Sequence, residues 1–408
     1  MPPISVEEAL AIVLKATPVL PFEPVPLREA QGWILREDLR ADHDYPPFDK
    51  SLMDGYALIA SDIDTPSRRL EVLETIEAGH DPGGLRRVEP GRASRIMTGA
   101  PLPQGADAVL PVEETETEPG GRAFIAHGTV RSGANLARRG DDARAGDRLL
   151  EAGEFIGPAE IAVLAACGRT SVKVGGRPRV AVMATGDELV EPDRTPGPGQ
   201  IRNSNGSLLA ALVRRFGVEP VELGIAPDDP EGLRERLKAG LEHDILISSG
   251  GVSMGEKDLV TDTLRTLGVT ILFDRVAIRP GKPFTFGMKG RTLVFACPGN
   301  PVSTYVIVQL FARAALRRMS GFREPSPSAL RGRLESEVRQ RGGRTAYYQA
   351  RAEWREGHYA VSILPSSGSA DFVSCARGNA LARIPAEAAT LAAGAEVDLI
   401  LLDDHADR

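Results

Sequence analysis

The period of the apolar residues changes several times along the chain, and each change marks an element or a boundary. Over residues 1–20, Ile4, Leu10, Ile12, Val13 and Leu14 supply one apolar helical face. Ser5 stands at the N-cap position, Glu7 and Glu8 fall in the first turn, where the helix dipole favours carboxylates, and Pro18 and Pro21 stop the run. Residues 45–145 follow another rule. Short apolar pieces are cut by Tyr45-Pro46-Pro47, Asp81-Pro82-Gly83-Gly84, Glu89-Pro90-Gly91 and Pro101-Leu102-Pro103, a spacing that predicts a small β domain. Gly157–Cys167 predicts a helix, with Pro158 near its start and Gly168 after its end.

From 177 to 321 strand and helix patterns alternate. Val180–Ala184, Val221–Ile225, Ile245–Ser248 and Leu293–Ala296 are short, apolar and β-branched. Ser207–Phe216, Pro230–Leu241 and Leu259–Leu267 lie between them with helical period, and a helix over Pro301–Met319 closes the unit. Asp229-Pro230-Glu231 is a helix start, with Asp229 as the cap and proline in the first turn. The alternation predicts an α/β unit around a buried parallel sheet. Beyond Pro325, segments such as Tyr359–Leu364 and Val397–Leu402 alternate and no strong helix appears, which predicts a small all-β domain. The fold class is therefore multidomain, α/β plus β.

Composition narrows the classes. The chain of 408 residues exceeds one ordinary core, and 42% hydrophobic with 26% charged residues rules out wholesale disorder. A net charge of −7 and 5% aromatics argue against a nucleic-acid binder relying on bulk charge or base stacking. Glycine (43) and proline (31) are in excess, without a collagen period, so they belong to turns and loops. Three cysteines (Cys167, Cys297, Cys375) lie far apart, and the six histidines have no metal spacing. With no secretory signal pattern and no apolar run of about 20 residues, the chain reads as a reduced, cytoplasmic protein away from the membrane.

Ligands of a parallel sheet bind beyond the carboxyl ends of its strands. Four loops lie there: Thr185-Gly186-Asp187-Glu188-Leu189, Ala226-Pro227-Asp228-Asp229, Ser249 through Asp258, and Cys297-Pro298-Gly299-Asn300-Pro301-Val302-Ser303. Ser249-Gly250-Gly251 lets backbone N–H groups approach an anion; the alternative is a tight strand-to-helix turn. Glu188, Asp228 and Asp258 stand on three loops, an arrangement suited to Mg²⁺ shared with substrate phosphates. Each is also explicable as a helix cap or first-turn acid, and Asp228 stays open between the two. Lys282, between Gly281 and Pro283, is one of seven lysines among 49 basic residues. Its compact ammonium suits an oxyanion; the alternative is a solvated turn lysine. Phe48 through Ala57 is the densest cluster of the β domain, although Met53-Asp54-Gly55 alone reads as a turn. Cys297 has no histidine nearby in sequence and is not read as a nucleophile.

Met53-Asp54-Gly55-Tyr56-Ala57, Arg95-Ile96-Met97-Thr98-Gly99, Thr185-Gly186-Asp187-Glu188-Leu189, Ser249-Gly250-Gly251-Val252-Ser253, Pro280-Gly281-Lys282-Pro283 and Pro298-Gly299-Asn300-Pro301-Val302-Ser303 resemble, in order, the molybdopterin molybdenumtransferases, the MoeA and gephyrin E-domain family. The resemblance implies an elongated homodimer of four-domain chains. Residues 1–20 with 177–325 would form the molybdopterin-binding α/β domain and 21–44 with 146–176 a linking domain. Residues 45–145 would be an inserted β domain, and 326–408 a β-barrel-like domain. The implied reaction inserts molybdenum from molybdate into adenylylated molybdopterin, releases AMP and requires Mg²⁺. The implied partners extend to the adenylyltransferase that supplies the substrate and to molybdoenzyme chaperones.

By the same resemblance, Asp54 and Thr98 of one subunit face the α/β pocket of the other, and Glu188, Asp228 and Asp258 are catalytic or hold Mg²⁺. Ser51 and Asp142 belong to the substrate-binding set of the β domain and linker. Thr185, Gly186, Asp187, Ser249, Gly250, Gly251 and Lys257 belong to that of the first and third strand-end loops. Arg279, Lys282, Pro298, Pro301 and Ser303 complete it, with Arg344, Ser366, Ser367 and Ser369 resembling a weaker molybdate-contacting set. Arg279 stands where many members carry lysine, which keeps the charge but replaces a compact ammonium by a planar fork. Two other classes compete. An adenylyltransferase sharing the α/β unit is usually that unit alone, and a receptor-clustering scaffold has no need of acids and a lysine in these loops.

Overall fold

A computed structural model gives the structure and describes residues 2–252 and 259–402. The chain divides into two compact units: Met1–Glu37 with Ala152–Ile161 and Thr170–Arg408, and Asp38–Glu151 with Ala162–Arg169.

The first unit is built on a six-stranded sheet in the order Val221–Ala226, Val180–Thr185, Ile245–Ser249, Thr292–Cys297, Pro283–Lys289, Thr270–Arg275. The first four are parallel, as the sequence predicts. The last two are antiparallel additions at one edge that the sequence pattern did not announce, so the sheet is mixed. Strand alternation sends Val180, Val182, Ile245, Ile247 and Phe295 to one face, under the helices Val6–Ala16 and Ser204–Arg215. Ala181, Met183, Leu246 and Val294 go to the other, under Pro230–Gly240 and Leu259–Thr266. The Ser5 and Asp229 caps stand where the sequence puts them, whereas the helix expected over Ser207–Phe216 begins three residues earlier, at Ser204, behind an Asn203 cap. Ser5 Oγ accepts from the Glu8 N–H at 3.0 Å, Asn203 from Gly206 at 2.8 Å, and Asp229 from Glu231 and Gly232 at 3.0 and 2.9 Å.

The expected single helix over Pro301–Met319 is α-helical at Pro301–Ile307 and Arg313–Ser320 and π-helical at Val308–Ala312. Gly321, at φ +87°, ends it in the left-handed conformation.

Strands Leu330–Leu334, Thr345–Arg355, His358–Ile363, Ala380–Ile384 and Glu396–Leu401 close into a five-stranded ring. Ala350, Val361, Ala382 and Leu399 fill it. The all-β expectation needs one correction here, a short helix at Phe372–Arg377 started by the Asp371 side chain.

The second unit holds another six-stranded sheet, in the order Ala108–Pro111, Gly55–Leu58, Arg92–Ile96, Arg68–Ile76, Ala123–Ala126, Thr115–Thr117. Tyr56 stacks on Phe124 at 3.8 Å in its core.

Candidate active site

The parallel register aligns the carboxyl ends of the four strands: Thr185 pairs with Ala226, Ala184 with Ser249, and Ser249 with Cys297. Beyond this row lies a cleft of about 990 Å³, lined by residues of all four strand-end loops. Glu188 and Asp228 both line it. Asp228 accepts from Thr185 Oγ1 at 2.8 Å, and its own N–H donates to Asp187 Oδ1 at 3.0 Å. Asp187 thus fixes the path of the Asp228 loop. Asp229, next along, is spent on its helix cap, whereas the Asp228 carboxylate is turned to Thr185 and the cleft.

Gly250 has φ +100°, and a Cβ there would sit 2.2 Å from the Thr185 carbonyl oxygen. The turn therefore takes glycine for both conformation and space. The Gly250 N–H donates to the Cys297 carbonyl at 3.1 Å, so this amide ties two loops together and is not part of an anion cradle. Ser249 Oγ donates to Pro298 O at 3.1 Å. Asn205, which the sequence reading passed over, donates from Nδ2 to Ser249 Oγ at 2.8 Å and to Gly299 O at 2.7 Å. Its signal was available as the second asparagine of Asn203-Ser204-Asn205-Gly206, a helix start facing the same sheet edge.

A smaller cavity of about 400 Å³ adjoins the cleft, and Pro283, Pro298 and Asn300 line both. It gathers Arg279, Lys282 and Arg344 with Ser303, Ser366 and Ser369. Asn300 Nδ2 donates to Ser369 Oγ at 2.9 Å, and Ser369 O accepts from the Val302 N–H at 3.1 Å, which ties the C-terminal ring to the Pro301 helix start. Lys282 is half-buried. Its carbonyl accepts from the Val276 and Phe284 N–H groups, both at 3.1 Å. Gln349 lines the same cavity, is 5% exposed, and its carboxamide makes no hydrogen bond among the described residues. The sequence reading also missed it; its only mark is an amide between Tyr348 and Ala350, in a strand that also carries Arg351, Glu353 and Arg355.

In the second unit, Thr98 donates to Asp54 Oδ1 through both Oγ1 and its backbone N–H, each at 2.7 Å. The side-chain bond first, then the backbone bond, hold the Asp54 carboxyl below the usual carboxylate range, with the Arg95 charge adding to them. Ser51 is buried and its Oγ donates to Met53 O at 2.5 Å, so it shapes the turn that carries Asp54. Asp142 is exposed, and its N–H donates to Tyr45 O at 2.9 Å. Lys257 and Asp258 lie outside the described residues. Among the described residues no group of three or more His, Cys, Asp or Glu is placed to hold a metal ion. Cys297 is fully buried and burial pushes its thiol up, which excludes it as a nucleophile. No helix among the described residues is long and apolar enough to cross a membrane.

Comparison with known proteins covers nearly the whole chain. The model of the MoeA N-terminal region (domain I and II) matches residues 4–168. That of a probable molybdopterin binding domain matches 181–318, and that of the MoeA C-terminal region (domain IV) 331–402. The molybdopterin molybdenumtransferase of Staphylococcus epidermidis is 34% identical over 411 residues, 99% of this chain and 96% of its own. That of a Nostoc species is 36% identical over 412 residues, covering 98% and 94%. The molybdopterin biosynthesis MoeA protein of Pyrococcus horikoshii superposes with a TM-score of 0.81 at 31% identity, over 98% of this chain and 100% of that one. Strand-end loops around one cleft, the closed C-terminal ring and full-length similarity agree, and the chain belongs to the molybdopterin molybdenumtransferase (MoeA) family, enzymes of molybdenum cofactor biosynthesis.

Proposed function

We propose that the cleft binds adenylylated molybdopterin, that the adjoining cavity receives molybdate, and that the chain joins the two with release of AMP. The carrying observation is the shared wall: Pro283, Pro298 and Asn300 line both spaces, so a dithiolene in the cleft and an oxyanion in the cavity lie side by side. Insertion of this kind needs positioning and charge neutralisation more than a protein nucleophile, in keeping with a buried Cys297. Lys282, Arg279 and Arg344 balance the oxyanion charge. Ser303 and Ser369 contribute hydroxyl groups to the same cavity.

Glu188 and Asp228 both line the cleft, and two carboxylates plus substrate phosphates match how Mg²⁺ is usually held. The resemblance adds Asp258. Bound there, Mg²⁺ would neutralise the anhydride oxygens. The family resemblance further supports a cytoplasmic homodimer of four-domain chains, in which the Asp54–Thr98 pair of one copy serves the cleft of the other. It also supports direct exchange with the adenylyltransferase and with molybdoenzyme chaperones.

The test is AMP release and molybdenum cofactor formation from molybdopterin-AMP by the purified full-length protein. Both should depend on molybdate and on Mg²⁺. AMP release that ignores molybdate, with no cofactor formed, overturns the proposal.

A further inference from the structure

Two buried glutamines, Gln309 and Gln349, leave both ends of the carboxamide without a hydrogen bond among the described residues. Gln309 sits in the π-helical turn Val308–Ala312 and lines neither the cleft nor the adjoining cavity. Gln349 is 5% exposed and lines the cavity. Buried polar groups in folded chains are nearly always paired, so an unpaired amide in a cavity wall calls for a partner inside the cavity.

The strand that carries Gln349 fixes its place. Gln349 stands in Thr345–Arg355, opposite Leu381 of Ala380–Ile384, and its carbonyl accepts from the Leu364 N–H at 2.9 Å. Strand alternation puts Ala346, Ala350 and Ala352 in the core of the C-terminal ring and Gln349 on the opposite face, where the cavity lies. The carboxamide therefore leaves from a backbone held on both sides.

The other polar groups of the cavity define the partner. Arg279, Lys282 and Arg344 line it, and among its described lining residues there is no carboxylate. These side chains suit an anion. Charge alone attracts any anion, whereas a neutral N–H at a fixed position also sets where an oxygen must lie. The amide adds that direction without adding a fourth positive charge. A hydrogen bond to an ionised acceptor is stronger than one between neutral groups, so Nε2 gains most from an anionic oxygen.

We propose that Gln349 is a substrate-contacting residue of this cavity. Its Nε2 donates to one oxygen of the bound tetrahedral oxyanion, and its Oε1 accepts from one of the cationic N–H groups gathered round the same anion. The assignment rests on the cavity being the molybdate site proposed above.

Gln349→Met keeps the length of the side chain and removes both polar ends. Molybdate is titrated into the full-length protein by calorimetry, and molybdopterin is titrated separately as the reference for the cleft. Gln349→Met should weaken molybdate binding by roughly tenfold or more at unchanged molybdopterin affinity. Its melting temperature should stay or rise, because the variant no longer buries an unpaired amide. Gln349→Asn keeps the amide but draws it back by one methylene. It should lose a comparable part of the molybdate affinity, and it decides alone if Gln349→Met does not fold. An amide that serves only the fold, satisfied by a trapped water, predicts the reverse: a lower melting temperature and unchanged molybdate affinity. That result overturns the proposal. Lys282→Ala and Arg344→Ala separate this failure from that of the site itself. If either weakens molybdate binding and the Gln349 variants do not, the cavity stands and the role of Gln349 falls. If neither weakens it, or the wild type binds no molybdate, the cavity is not the molybdate site and both fall.

Discussion

Lys282 shows how much a single side chain takes from its backbone. Proline on either side of the Gly281–Lys282 pair restricts φ, and the Lys282 carbonyl accepts two N–H groups, so the ammonium leaves a fixed base. Lys282→Ala should raise the molybdate needed for half-maximal insertion and change the melting temperature little, because most of what is lost is one charge; the fixed-substrate insertion rate against molybdate measures it. Lys282→Arg should restore only part, since a planar fork cannot put its charge where the ammonium sat. An unchanged molybdate dependence in Lys282→Ala would move the oxyanion site toward Arg344 and Ser369. Asp54 offers a pH test. Its carboxyl is held low by Thr98, so the stabilising contribution of that pair is fully present above the unfolded carboxyl value of about 3.9 and is lost as pH falls through the lower folded value. The Thr98 amide resonance should titrate with a midpoint below about 3.9, and Asp54→Asn should abolish the titration. A midpoint at or above that value would mean that the two hydrogen bonds do not hold in solution.

Elements were legible in the sequence where a local rule specifies them. Four apolar strand runs, the Ser5 and Asp229 caps and the loops at the strand ends all follow from spacing, because the information is contiguous. The edge strands Thr270–Arg275 and Pro283–Lys289 were not. Gly287 breaks the second run, and it is there because Thr270 O lies 2.8 Å from where its Cβ would be, a close approach that only the folded pair reveals. The helix Phe372–Arg377 is too short to show a period. The same limit applies within the site. Asn205 reaches Ser249 and Gly299, 44 and 94 residues away, and Gln349 meets Lys282 across one cavity only once the ring has closed. The Ser249-Gly250-Gly251 turn was visible as glycines, yet its amide at Gly250 is used between loops. Gly250→Ala should therefore act through shape: the left-handed φ and the Thr185 carbonyl at 2.2 Å predict a loss of about 1–3 kcal/mol and weaker molybdopterin binding. Chemical denaturation and molybdopterin titration read the two effects; wild-type stability in Gly250→Ala would show that the loop relaxes freely.

At the scale of the molecule, the features that resemble catalytic residues fall in two compact units. Asp54 and Thr98 belong to one; Glu188, Asp228 and Lys282 belong to the other. The proposed homodimer joins them between copies, and mixing variants separates that arrangement from a site completed within one chain. At limiting molybdate, Asp54→Asn and Lys282→Ala chains would each be inactive or nearly so as homodimers. If a site takes Asp54 from one copy and Lys282 from the other, a mixed dimer holds one site with both lesions and one with neither, and activity returns. If both residues come from the same chain, each site of the mixed dimer carries one lesion and nothing is regained. Co-expression with two different affinity tags isolates the mixed dimer, and its cofactor-forming rate should approach half that of the wild type. A mixed dimer no more active than its parents, or a fully active wild-type monomer of 43.6 kDa by light scattering on dilution, would rule out the shared site.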